Sequence, residues 1–376
     1  MSRRVKADNF IDCDDYGVPF VEARVAGDMS ELVHIKNPEI DLLQQLLPYK
    51  PLDEQMSKTR FNFAAQINYF ECGGVAISFC VGHFVADAAT AAHFIKSWAT
   101  VACDCDDDDD LIKEDISLSP PQDFLGLLTS NIDQELLNIM AIPPGGEHES
   151  ELKEQPYPSS SGRITKRFVF DKSKIIALRE TFGSTRVTRF EAMFVLLWSA
   201  IQATKSEEDE LVASIAVNLR KRMNPPIPEQ CFGNICTAIM TNWPKEEITD
   251  RNSFAGKLRE LIRMVNDDYI RNTLPNSMFF NFIRDHDVAS SSNKKRIVLF
   301  SGCNNFPFYK ADFGWGKPEW LAFPQSFNDH NYVGLFDTSD GEGIEAWIGM
   351  SKEEMAKFEQ DPTVIAYASL NPSTYM

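Results

Sequence analysis

The chain has 376 residues, and at roughly 150 residues per domain this length holds two domains, each able to bury its own core. Apolar residues make up 43% and charged residues 24%, an ordinary globular balance that excludes wholesale disorder. Lysine and arginine number 37 against 55 aspartates and glutamates, and the resulting charge of −18 repels a phosphate backbone and excludes nucleic acid as a partner.

In chain order, residues 61–70 and 75–81 carry strand patterns separated by the turn Cys72-Gly73-Gly74. A helix follows at once: Asp87 stands where a cap belongs, and Ala91, Ile95, Trp98 and Ala102 recur at helical spacing. Residues 103–163 read as loop, with an acid run at 106–110, the pairs Pro120-Pro121 and Pro143-Pro144, and a turn-rich stretch at 156–162. The acid run lacks the spaced glycine and terminal glutamate of a calcium loop, so no metal is expected there. The expected organisation is an N-terminal domain over 1–145, a crossover over 146–165 and a C-terminal domain over 166–376.

Past the crossover, a strand is expected at 167–170, a helix from Asp171, and a better-marked helix from Thr188, whose Glu191 completes a capping box. Further strands are expected at 211–217, 296–301, 332–336 and 344–348, with amphipathic helices near 253–271 and 352–367. Strands and helices mix without strict alternation. The expected fold class is therefore α/β with mixed α+β sheets, two sandwiches rather than one doubly wound parallel sheet.

The longest apolar run, 192–198, is far shorter than the roughly 20 residues that span a bilayer, and residues 1–9 lack a signal-peptide core. No membrane association is expected. Cys13, Cys72, Cys80, Cys103, Cys105, Cys231, Cys236 and Cys303 include no C-x-x-C pair, which fits free thiols in a cytoplasmic setting.

Of the six histidines, His34, His83, His93, His148, His286 and His330, one stands apart. His83 follows the 75–81 strand and precedes the Asp87 helix, and such junctions hold side chains at a sheet edge where clefts form. A neutral imidazole there can take a proton at neutral pH. The alternative is a hydrogen-bonded structural histidine. Asp312-Phe313-Gly314-Trp315-Gly316-Lys317-Pro318 is a rarer string, in which two glycines demand a tight backbone path and the tryptophan a large buried ring. It has no H-R-D or glycine-rich phosphate loop to make it kinase-like. Gly341-Glu342-Gly343 precedes a strand and reads as a turn rather than a dinucleotide fingerprint. In Asn218-Leu219-Arg220-Lys221-Arg222, three cations at a strand end could bind a phosphorylated ligand, neutralise a buried carboxylate, or simply be solvated.

Taken together, His83-x-x-x-Asp87, Asn218-Leu219-Arg220 with Phe232-Gly233-Asn234, and Asp312-Phe313-Gly314-Trp315-Gly316 resemble the plant BAHD acyltransferases, in that order. Residues 12–24, 70–74 and 166–171 are most similar to its alkaloid-acetylating branch. The resemblance implies two chloramphenicol-acetyltransferase-like domains with a channel between them. It also implies direct transfer from acetyl-CoA or another acyl-CoA to an acceptor hydroxyl, without an acyl-enzyme, a metal or a permanently bound cofactor. His83 would be the general base, a role worth roughly 10²- to 10⁴-fold in rate. Trp315 would donate to the oxyanion, with Asn234 as a second donor; losing one such donor costs about 2.7 to 4 kcal/mol. Gly233, Asn234 and Gly314 would lie close to CoA. Asp87 would turn from the base to pair with Arg220, and Asp312 would hold its loop.

Two departures bear on substrate and activity. Ala88 stands where the familiar motif has glycine, and Asn305 stands where some relatives carry an arginine that reads an acceptor carboxylate, so a neutral or cationic alcohol is expected. The resemblance further implies a front segment of roughly 70 to 80 residues, whose loss would expose apolar surface of the first domain. An alternative donor such as malonyl- or benzoyl-CoA, N-acylation, or a non-catalytic fragment that binds CoA or a partner chain therefore stay open beside a monomeric O-acetyltransferase.

Overall fold

The computed structural model describes residues 4–5, 11–12, 17–30, 40–49, 63–83, 86–103, 162–183, 186–206, 209–244, 248, 250–273, 295–324 and 330–372. The acid run at 106–110, most of the expected crossover, and His34, His148, His286, Cys13 and Cys105 lie outside the described residues. In chain order the regular elements are β1 (Arg4–Val5), β2 (Ile11–Asp12), β3 (Phe20–Val25), α1 (Ile40–Gln45), β4 (Phe63–Phe70), β5 (Val75–Val81) and α2 (Ala88–Ala102). They continue with β6 (Arg163–Phe170), α3 (Lys172–Glu180), α4 (Arg189–Thr204), β7 (Glu210–Asn218), β8 (Cys236–Thr241), α5 (Arg251–Met264) and β9 (Lys295–Gly302). Last come β10 (Asn331–Asp337), β11 (Ile344–Ser351), α6 (Lys352–Phe358), α7 (Pro362–Tyr367) and β12 (Ser369–Leu370).

Both larger sheets are mixed, as the irregular order of elements requires. One has the order β3-β4-β5, with β3 parallel and β5 antiparallel to β4. The other has seven strands in the order β12-β6-β11-β10-β9-β7-β8; β9 runs parallel to both neighbours and every other pairing is antiparallel. Side chains alternate across a strand, so each strand serves two faces. On one face Val298, Phe300, Val333, Leu335, Ala346 and Ile348 meet α4, whose Phe194, Leu197 and Trp198 are fully buried. The capping box of Thr188 and Glu191 sets where that apolar helix starts. On the opposite face Tyr332, Phe336 and Trp347 meet Leu43, Leu46 and Phe70 of the N-terminal part, so the large sheet is covered on both sides.

Several boundaries differ from expectation for local reasons. The strand expected from residue 167 begins at Arg163, because its whole length pairs with β11. The helix expected over 352–367 is two, since Asp361 caps a new start and Pro362 occupies its first turn. The helix expected over 253–271 ends at Met264, and a π-helical turn follows at Tyr269–Thr273. Strands β3 and β8 carry no alternation strong enough to have marked them.

Gly334 lies mid-strand in β10, paired to Trp347 on one side and Ser301 on the other. A Cβ there would fall 2.0 Å from the Tyr332 hydroxyl and 2.7 Å from its Cζ. Gly334→Ala is expected to cost about 1 to 3 kcal/mol, read as a lower denaturation midpoint; an unchanged midpoint would mean the buried ring swings aside freely. Arg296 bridges Asp209 at 2.9 Å and Glu354 at 2.7 Å. Burial raises the Glu354 carboxyl, but the hydrogen bond and charge of Arg296 outweigh it and hold the group below its ordinary 4.5. A lowered folded value gives stability that is complete above the unfolded value and is lost as pH falls through the folded one. The stability gap between wild type and Arg296→Met is therefore expected to be full above 4.5 and to close at lower pH. Parallel urea titrations across pH measure it, and a pH-independent gap contradicts the assignment.

Candidate active site

The site is built where β5 gives way to α2. Beyond Val81, Gly82 is buried and His83 is exposed to solvent. Asp87 then caps α2 in an extended conformation, its Oδ1 accepting from the Thr90 amide at 2.8 Å. The same carboxylate receives the Arg220 guanidinium side-on, Nη1 to Oδ2 at 2.7 Å and Nη2 to Oδ1 at 3.1 Å, and the Ile235 amide at 3.0 Å. Arg220 is fully buried and Asp87 nearly so. The remaining reach of Arg220 goes to Thr90 Oγ1 at 2.9 Å and to the Cys231 carbonyl at 2.9 Å. A charge taken this far from water persists only with such complete pairing.

The expected pair of Asp87 and Arg220 is thus in contact, and the cationic string around it is accounted for. Arg222 donates to the Ile262 and Val265 carbonyls at the end of α5, and Lys221 pairs with Glu229 on the surface. Of the open alternatives for this string, Arg220 follows the neutralised buried carboxylate; a phosphate site has no cation left unspent among these three.

The loop held by Arg220 reaches His83. Gly233 takes a φ of +133°, a region that favours glycine, and Asn234 beside it donates from Nδ2 to the His83 carbonyl. Asn234 Oδ1 is buried without a hydrogen-bond partner. No described hydrogen bond ties the imidazole of His83.

The 312–316 loop behaves differently from its expected picture in one respect. Asp312 Oδ1 accepts from the amides of Gly314 and Gly316, both at 2.9 Å, which explains how an acid can hold this loop. Both glycines have positive φ. The ring tucked against the protein is Phe313, edge-on to Trp98 at 5.3 Å, whereas Trp315 stacks on Phe313 at 5.8 Å and is 66% exposed. The buried tryptophan expected from sequence is therefore corrected: a half-buried phenylalanine anchors the loop. Trp98 lies roughly 16 Å along α2 from the Asp87 cap at 1.5 Å per residue, and Gly314 faces Cys103 at the helix end. Among the described residues no hydrogen bond or ring contact joins Trp315 to His83 or Asn234. Asn305 is exposed, in a left-handed turn at φ +67° with its amide 2.5 Å from Asp337 Oδ2, and it borders an open hollow of about 310 Å³ with Tyr309 and Asp337.

Two thiols lie close enough to Asp87 to feel its charge. Burial first and the Asp87 carboxylate second push Cys236 up to about 12, and burial pushes Cys303 up to about 11. Neither thiol ionises at neutral pH, so neither offers the thiolate that a covalent acyl-cysteine would need. Among the described residues no cluster of three or more histidine, cysteine or acidic side chains could hold a metal. No sequence motif marked Thr90, although its place three residues past an aspartate cap was a readable signal.

This fold, two mixed sheets with a histidine at a strand-to-helix junction, is that of an acyltransferase. The solved structure of vinorine synthase matches it at a TM-score of 0.68, with 28% identity over 94% of this chain and 78% of that one. Residues 1–365 match the Transferase family, and the chain belongs to this family, the BAHD acyltransferases. A limonoid 21-O-acetyltransferase of Melia azedarach is 42% identical over 99% of this chain and 83% of its own length. Stemmadenine O-acetyltransferase of Catharanthus roseus is 31% identical over 96% and 79%.

Removing one member of a buried pair strands the other. Arg220→Met is expected to destabilise the fold by about 3 to 5 kcal/mol, and Asp87→Leu in the same chain to return much of that loss. Chemical denaturation of the single and double variants tests this; a double variant as unstable as the sum of both singles would overturn it.

Proposed function

We propose that the chain transfers an acetyl group from acetyl-CoA to a hydroxyl of a neutral or cationic polycyclic natural product. A limonoid-type alcohol is the first candidate and an alkaloid-type alcohol the second. The observation that carries the proposal is the exposed His83 at the strand-to-helix junction, its backbone held by Asn234 from the far part of the chain. The 42% identity to a limonoid acetyltransferase, against 31% to the stemmadenine enzyme, sets the order of acceptors.

In this mechanism residues 1–145 and 166–376 are two lobes joined by 146–165, and acceptor and donor meet at His83 between them. The imidazole takes the hydroxyl proton as oxygen attacks the thioester carbonyl. The carbon–oxygen bond forms, the tetrahedral oxyanion collapses, the carbon–sulfur bond breaks, and the proton passes from imidazolium to the CoA thiolate. Asn234, whose nitrogen already lies at His83, is the nearer donor to the oxyanion; Trp315 on its exposed loop is the farther. Gly233 and Gly314, both at positive φ, put no side chain where CoA would run. Asn305 offers no cation, which supports an acceptor without a carboxylate. Cys72, Cys80, Cys236 and Cys303 carry free thiols, which supports action in the cytosol, and the chain acts in this reading as a monomer.

The test is incubation of the purified chain with acetyl-CoA and a panel of hydroxylated limonoids and alkaloids, following gain of one acetyl group by mass. Malonyl- and benzoyl-CoA compete in parallel arms. His83→Ala is expected to lower turnover about 10²- to 10⁴-fold with an unchanged melting temperature. Turnover retained in that variant would refute the base, and no acetyl gain on any alcohol of the panel would refute the acceptor class.

A further inference from the structure

Thr90 carries no role in the chemistry described so far, yet its hydroxyl is 1% exposed and its bonding capacity is spent. A hydroxyl has one donor and two acceptor positions. Thr90 Oγ1 donates to the Gly233 carbonyl at 2.9 Å and accepts from the Gly233 amide at 3.1 Å and from Arg220 Nη2 at 2.9 Å. Both backbone groups of one glycine are thus gripped by one side chain from the first turn of α2. The Asp87 amide adds a longer bond to the same carbonyl, at 3.5 Å. Gly233 is followed by Asn234, whose side-chain Nδ2 donates to the His83 carbonyl. The path from Thr90 through Gly233 and Asn234 ends on the backbone of the proposed base.

We propose that Thr90 is a positioning residue: its hydroxyl fixes the height of the Gly233-Asn234 segment against α2, and so sets where His83 stands between the two substrates. The proposal rests on His83 being the base. A threonine suits the task because its branched carbon is stiff, which places the oxygen without a large loss of side-chain entropy. Valine keeps that shape and removes the oxygen, leaving the Gly233 amide without its partner and the Gly233 carbonyl with only the longer bonds from Arg220 Nη2 at 3.3 Å and the Asp87 amide at 3.5 Å. Serine keeps the oxygen and removes only a methyl group.

The decisive comparison is Thr90→Val against Thr90→Ser, read by steady-state kinetics and by hydrogen exchange of the peptide covering residues 82–88. Thr90→Val is expected to lower kcat by about 10- to 100-fold, the scale of a small misplacement of a catalytic group. The KM for acetyl-CoA should move less than about twofold, and exchange across 82–88 should quicken about tenfold. Thr90→Ser should stay near wild type in all three. Asn234→Ala, which cuts the last link without touching the buried charges, should reproduce the Thr90→Val gain in exchange across 82–88, and serves by that readout alone should Thr90→Val not fold, since its side chain is also the proposed oxyanion donor. Equal impairment of Thr90→Val and Thr90→Ser, a KM rise with kcat intact, or unchanged exchange in Asn234→Ala would each overturn the proposal. If the wild type transfers no acetyl group, the acyltransferase reading fails, and the exchange comparison still decides whether Thr90 holds His83.

Discussion

The carboxylate of Asp87 is the constraint from which the site follows. Each of its oxygens accepts two hydrogen bonds: Oδ1 from Thr90 and Arg220, Oδ2 from Arg220 and Ile235. A carboxylate has about four acceptor positions, and all are filled. Although the spacing from His83 to Asp87 suggests an acid that orients a base, this acid has no acceptor position left for the imidazole. Its work is to join the start of α2 to the loop after β7, two parts of the chain far apart in sequence. Burial makes that junction stringent, because a guanidinium and a carboxylate removed from water are tolerated only in close mutual geometry.

The rest of the architecture keeps this junction still. The large sheet is filled on one face by α4 and its neighbours and on the other by Leu43, Leu46 and Phe70, so strands β7 and β9, which carry Asn218 and lead to Cys303, have little room to shift. Dense packing on both faces transmits position rather than absorbing it. The segment from Pro307 to Phe313 leans on α2 through Phe308, Ala311 and Phe313, so the helix capped by Asp87 is also braced along its length. Burial has a chemical consequence too. The same dry environment that stiffens the junction holds Cys236 and Cys303 in their protonated form.

Local signals in the sequence proved more readable than distant ones. The Asp87 and Asp171 caps and the Thr188–Glu191 capping box mark helix starts that the structure has at those residues, because a cap depends on three or four neighbouring residues alone. The Asp361-Pro362 pair carries the same kind of signal, but the apolar spacing continues across the break and by itself predicts one helix where there are two. Strand β8 is not marked in the sequence since its only partner among the described residues is β7, and half-buried residues on an edge strand need no regular alternation. Trp315 shows the limit most clearly. Two flanking glycines specify a tight turn, but which of two adjacent aromatic rings enters the core depends on Trp98, more than two hundred residues earlier in the chain. Thr90 is half legible for a related reason: its place after the Asp87 cap is a local signal, but its partners Gly233 and Arg220 meet it only after folding.

An imidazole held by its backbone and free at its ring suits direct transfer better than a ring clamped to an acid. In a covalent mechanism the base must serve two separate half-reactions and hold its proton between them, which rewards a carboxylate that stabilises imidazolium. In direct transfer the proton arrives from the alcohol and departs in the same encounter. A thiolate is a stronger base than a neutral imidazole, so in the proposed transfer a proton taken by His83 would run downhill to the departing sulfur without further help. The demand on the protein is then place rather than charge, and the hydrogen bonds of this site are spent accordingly: on the carbonyl of His83, the backbone of Gly233 and the cap of α2.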